Sequence, residues 1–222
     1  MLGLFFCFNC EQIRFINFIE KRTMRLIHRL KHWQIFIFLF LIPLLFEIFA
    51  VVVGLLRTVS SVDTQEMFST FKYFPIIILV PVITIYSWLW SIGIGLRSLI
   101  PESAKLSSVR FKLAFVYSLL YFVVILIAAT ILLFNLEANE SSAVSPSALV
   151  NIDVSGLIPV IVPLHVLAVF CLFHCFYFCA KTFKSVVMQR TVIFSDFAAE
   201  FFLLWFSIIG VWVIQPKINK LS

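Results

Sequence analysis

The sequence predicts an all-α fold, a polytopic transmembrane helical bundle of five hydrophobic segments, and three observations carry that prediction. Hydrophobic residues make up 62% of the chain and charged residues 13%. Soluble domains run near half apolar and a quarter charged, so one soluble core cannot hide this excess. The apolar residues fall in long runs that raise the mean hydropathy to +1.09, as expected where lipid is the solvent. Lysine and arginine gather in alternate linkers, the pattern left when basic loops stay in the cytoplasm during insertion. The 222 residues fit one membrane domain with short loops, with no room for a separate soluble domain.

Residues 1–32 read as a cytoplasmic basic segment. Ile16, Ile19, Leu26, Ile27 and Leu30 recur at helical spacing while Arg22, Arg25 and Arg29 fall on another side, as in an interfacial amphipathic helix over anionic headgroups. Its simplest role is to set orientation. No base precedes the apolar stretch of Met1 to Cys10, so a cleaved signal peptide is not expected. Phe6 stands where a lipoprotein box wants a small residue, which argues against lipidation. Met24-Arg25-Leu26-Ile27-His28-Arg29-Leu30-Lys31 is an ordinary lead-in to a first span, and residues 1–23 read as a start-site extension.

The membrane domain, 33–214, contains spans at about 33–56, 74–96, 113–134 and 157–180, each meeting the ~20 residues that cross a ~30 Å hydrocarbon layer. The fifth segment, about 198–214, is shorter and reads as a minimal crossing. The alternative is a re-entrant segment broken at Gly210, which would return Lys217 and Lys220 to the basic side. Gln215-Pro216 is expected to end this helix, with 215–222 as a tail and Trp212 as an interfacial anchor. Between the third and fourth spans, Asn135 to Gly156 is rich in Ser, Asn and acids, contains Pro146, and reads as an exposed loop. The triplet Asn139-Glu140-Ser141 matches a glycosylation pattern, but nothing else in the sequence points to a secretory-pathway host.

Charge orients these spans. Arg14, Lys21, Arg22, Arg25, Arg29 and Lys31 precede the first; Arg97, Lys105, Arg110 and Lys112 lie between the second and third; Lys181, Lys184 and Arg190 follow the fourth. The opposite side receives Arg57 and Lys72 in one loop and no base between Asn135 and Gly156. The amino terminus is therefore expected in the cytoplasm. Orientation also accounts for the net charge of +6 and the pI near 9.2, and no basic patch lies in a foldable soluble segment that would bind nucleic acid.

One carboxylate lies deep in a span. Glu47 sits within Leu44-Leu45-Phe46-Glu47-Ile48-Phe49, where an ionised group costs at least a few kcal/mol, so it is expected to face protein. Counting the helical rise from the outer ends puts Glu47 about 14 Å and His165 about 12 Å deep. Thr84 and Tyr121 fall near that layer, and the four form a candidate polar cluster. Its plain reading is helix-packing glue, and its functional reading a proton or ion relay. A metal site is not expected. His165 and His174 lie on opposite sides of their helix, and Cys171, Cys175 and Cys179 form a drifting stripe of small packing residues. Cys7-Phe8-Asn9-Cys10 lacks the strand and helix of a redox motif, and the five cysteines do not have disulfide-framework spacing.

Small residues mark expected helix contacts: Ala50 and Gly54 on the first helix, and Ser87, Ser91 and Gly95 spaced by four on the second. Pro75, Pro81, Pro159 and Pro163 are expected to bend or cap the outer ends of the second and fourth spans. No nucleophile with an adjacent base, Gly-rich phosphate loop or H-E-x-x-H pattern occurs, so neither a catalytic residue nor a cofactor is assigned.

The carboxyl end carries Trp205-Phe206, Gly210, Trp212 and then Ile214-Gln215-Pro216-Lys217-Ile218-Asn219. This resembles the ending of a group of uncharacterised multi-spanning bacterial inner-membrane proteins, with its W-F, G-x-W and I-Q-P-x-I-N order. The resemblance covers less than a tenth of the chain and implies a bacterial inner membrane but no activity. In that group a proline often follows the W-F pair; here Ser207 does. The leading functional expectation is a non-enzymatic accessory or scaffold protein, in contact with the bilayer and with a membrane-protein partner or further copies of itself. The alternatives are a small proton- or ion-coupled transporter using Glu47 and, third, an integral-membrane lipid enzyme.

Overall fold

The computed structural model describes residues 30–59, 74–104, 106–141 and 154–221, and every regular element among them is helical. Expectations that fall on residues 1–29, including the amphipathic segment and Cys7 and Cys10, lie outside the described residues.

The first span opens with α1 (His32–Phe36), passes through a π-helical turn (Ile37–Leu41), and continues as α2 (Ile42–Val59). The widened turn has a local cause. Pro43 offers no N–H to the carbonyl of Leu39, and the chain instead uses the longer register in which the Ile42 N–H donates to the Ile37 carbonyl. The second span is α3 (Phe74–Gly93), followed by 3₁₀ turns at Gly95–Leu99 and Glu102–Ala104. Then come α4 (Val109–Ser141) and α5 (Val154–Met188), and the chain closes with α6 (Phe194–Trp205) and α7 (Ser207–Leu221). Four segments, His32–Leu56, Phe74–Leu99, Val109–Phe134 and Ile158–Met188, are long and apolar enough to cross a membrane.

Several boundaries differ from the sequence reading for physical reasons. α4 runs on to Ser141 and α5 begins at Val154, so both helices take in residues expected in the loop between them. Pro81, Pro159 and Pro163 lie inside continuous helices, while Pro75 occupies the first turn of α3, where its missing N–H has no helical partner to lose. Gly210 is not the break in the last segment. The break is at Phe206, whose φ of −85° and ψ of 62° leave the helical region, and the axes of α6 and α7 differ by 120°. Nor does Gln215-Pro216 end the helix. Pro216 removes one hydrogen bond, to the Trp212 carbonyl, and α7 continues to Leu221.

The chain divides into two compact units. The first draws on the described residues within Met1–Ile35, Ser87–Leu106 and Phe176–Ser222. Its core is Trp88, Leu89 and Ile92 from α3, Phe178, Cys179 and Phe183 from α5, Phe197 and Leu204 from α6, and Val211, Ile214 and Ile218 from α7. In α7 these fall at i, i+3 and i+7, one helical face, with Trp212, Lys217 and Lys220 exposed. α6 starts where the Asp196 side chain reaches back to accept from the Ile193 N–H at 3.1 Å, one half of a capping box.

The second unit comprises Phe36–Tyr86 and Ser107–Cys175. Phe46 stacks near Phe74 at 6.2 Å, joining α2 to α3. Tyr86 meets Phe115 and Phe122 edge-on at 5.2 and 6.1 Å, joining α3 to α4. Large apolar side chains cover its exposed faces, among them Leu44, Leu45, Phe49, Leu113, Leu120, Ile131 and Phe170.

Candidate functional site

Two groups of polar side chains sit on these apolar helices, one in each unit. In the second unit, α4 and α5 bring Tyr121 and His165 together, with the Tyr121 hydroxyl 3.1 Å from His165 Nδ1 and the rings 5.7 Å apart. One turn earlier, the Tyr117 hydroxyl donates to the Leu164 carbonyl at 3.3 Å. The two tyrosines are four residues apart, so a single face of α4 makes both contacts.

Thr84 and Glu47 do not join this pair. The Thr84 hydroxyl turns back to donate to the Val80 carbonyl at 2.8 Å, which satisfies it within its own helix. Glu47 is exposed on α2, contrary to the expectation that it faces protein, and has no hydrogen bond or ion pair with the described residues. Depth follows from counting along a helix, but azimuth depends on which neighbours pack, and here Phe46 and Ala50 take the inner positions. His165 is likewise exposed.

The small residues divide in the same way. Ala50 and Ser91 are buried, at 6% and 2% exposure, whereas Ser87 is half-buried. Gly95 falls outside the stripe because α3 ends at Gly93, and Gly95 begins a 3₁₀ turn with a different rotation per residue. Gly54 has no atom within 4 Å of where a Cβ would stand. It lies seven residues from Glu47 on the same side of α2, with the exposed Val51 between them.

The first unit holds the polar residues that the sequence reading passed over. Gln215 is 1% exposed and fully engaged: its Oε1 accepts from Trp88 Nε1 at 2.8 Å, and its Nε2 donates to the Leu30 carbonyl at 3.1 Å and to Asn219 Oδ1 at 2.9 Å. Asn219 Nδ2 also reaches the Leu30 carbonyl, at 3.3 Å. The tip of α7 is thereby tied to the entry of the first span, where the His32 and Trp212 rings lie 4.6 Å apart. Nearby in sequence, Lys184 on α5 pairs with Glu200 on α6 at 2.7 Å, both side chains largely buried. The second oxygen of Glu200, Oε2, is buried without a hydrogen-bond partner among the described residues.

Signals for these residues exist in the chain. Gln215 and Asn219 are four apart and share a helix face, and Glu200 is an acid beside a long apolar run, the same signal that singles out Glu47. Cys175 and Cys179 are fully buried, and the Cys179 thiol donates to the Leu89 carbonyl at 3.2 Å, a packing contact between α5 and α3. No group of three or more potential metal ligands occurs among the described residues.

In comparisons with known proteins, the chain matches no family model, no curated protein and no solved structure.

Proposed function

We propose that this chain is a non-enzymatic accessory or scaffold protein of a bacterial inner membrane that works by lateral contact between membrane helices. The observation that carries this reading is Glu47, a carboxylate on the exposed face of α2 at mid-membrane depth with no partner among the described residues. Such a group is costly against lipid, and a polar contact from another helix relieves that cost. Gly54 on the same face leaves room for a neighbouring backbone.

The topology that goes with this reading has both ends of the chain in the cytoplasm. α6 and α7, with 12 and 15 residues, are about 18 and 22 Å long, each too short to cross alone. The 120° bend and the bonds from Gln215 and Asn219 to Leu30 bring α7 back to the side where the first span begins. Lys217 and Lys220 then join the other bases, so a re-entrant hairpin accounts for the charge distribution better than a fifth crossing.

Purification of the native protein in mild detergent tests the role. Stable, stoichiometric association with a membrane protein or with further copies of itself is expected, and a strictly lone chain would refute it. A proton-coupled transporter is the second reading, favoured by the Tyr121–His165 bond in the layer of Glu47. It predicts a pH-driven flux in liposomes that Glu47→Gln abolishes.

A further inference from the structure

We infer that the partner of the exposed Glu47 is His165 of a second copy of this chain. The inference rests on the lateral-contact reading above and names its occupant. In the tautomer in which His165 Nδ1 accepts from the Tyr121 hydroxyl, Nε2 bears the ring N–H, a hydrogen-bond donor on an exposed side chain. Glu47 offers the complementary acceptor, also exposed. Counted from the ends of their spans at Leu56 and Ile158, the two lie about 14 and 11 Å deep, close enough for side chains of neighbouring helices to meet.

A single chain thus displays both halves of one bond at one depth, and neither half is used with the other inside it. An unrelated helix would have to supply a donor for Glu47 and leave His165 Nε2 facing hydrocarbon. A second copy satisfies both groups. The free face around Gly54 and Val51 lets two α-helical backbones approach, and the apolar side chains around them provide the packing on which membrane helix association depends.

The test uses full-length chains carrying two different affinity tags, co-expressed and purified together from membranes. The wild-type chains are expected to co-purify. Glu47→His alone and His165→Glu alone should each weaken self-association by roughly tenfold or more, since each places like groups opposite one another where about a factor of ten rides on one interhelical bond. Co-expression of the Glu47→His chain with the His165→Glu chain restores an acid opposite a base at every contact and should recover wild-type association. That recovery also shows that both variants fold. Wild-type chains that fail to associate, single variants that associate normally, or a mixed pair that does not recover would each overturn the inference. A lone chain held instead by a different membrane protein would sink this inference and leave the accessory role standing. Flux abolished by Glu47→Gln, together with normal association of the His165→Glu chain, would sink both.

Discussion

Replacing Gln215 with leucine should destabilise the protein by about 2 kcal/mol, and the structure says where that figure arises. Leucine fits the site in size but removes three hydrogen bonds, those to Trp88, the Leu30 carbonyl and Asn219. They are unequal. Asn219 is exposed and can turn to water, and the Leu30 carbonyl retains its contact with Asn219 Nδ2. Trp88 is 1% exposed and has no such recourse, so its indole N–H is left buried and unsatisfied at a cost of about 1–3 kcal/mol. The smaller losses bring the total higher, and the greater apolarity of leucine offsets part of it. Unfolding in mixed micelles, followed by tryptophan emission, reads the difference directly. Trp88→Phe in the Gln215→Leu background should cost less than Trp88→Phe alone, by about 1 kcal/mol, because the donor disappears together with its acceptor. A Gln215→Leu protein as stable as wild type would refute the claim that this amide holds the carboxyl-terminal helix in place.

Gly210→Ala should lower stability by about 1–3 kcal/mol in the same assay, because an added Cβ runs into the Leu203 carbonyl, a backbone atom that cannot rotate aside. Gly54→Ala is the control, with open space at its Cβ position and no expected loss in the separated chain. Reporters fused in turn to the amino and carboxyl ends should be found on the same side of the membrane by protease accessibility of sealed vesicles. Opposite sides would refute the re-entrant hairpin.

The four long spans are legible in the sequence because length and hydropathy are properties of a segment by itself, and no neighbour is needed to establish them. The positions of Tyr121 and His165 along their helices are legible too, since the rise per residue is fixed. What could not be read is anything that depends on a second element. The alternative reading of the last segment puts its break at a glycine, yet Gly210 serves a close crossing of α6 and α7, and the turn itself falls at Phe206, a residue with no turn preference. The rule that proline stops a helix likewise fails at Pro216. Gln215 and Asn219, on either side of it, bond to the Leu30 carbonyl, about 185 residues away in sequence, and hold the helix through the gap.

The two units differ in how their polar groups are satisfied, and that difference bears on which of them meets a partner. In the first, Gln215, Trp88 and Asn219 bond to one another, and Lys184 reaches Glu200. These polar groups are engaged in holding the chain's own short helices, which lack the length to be anchored by hydrophobic span alone. In the second unit the helices are long enough to stand in the bilayer without polar ties. There Glu47 and His165 are exposed, and of the two only His165 has a side-chain bond among the described residues. Exposed polar atoms at mid-membrane depth contribute nothing to a lone helix in lipid and cost it several kcal/mol, whereas the same atoms facing another helix select that neighbour. The internal bonds therefore belong to folding, and the exposed pair is what the proposed association would use.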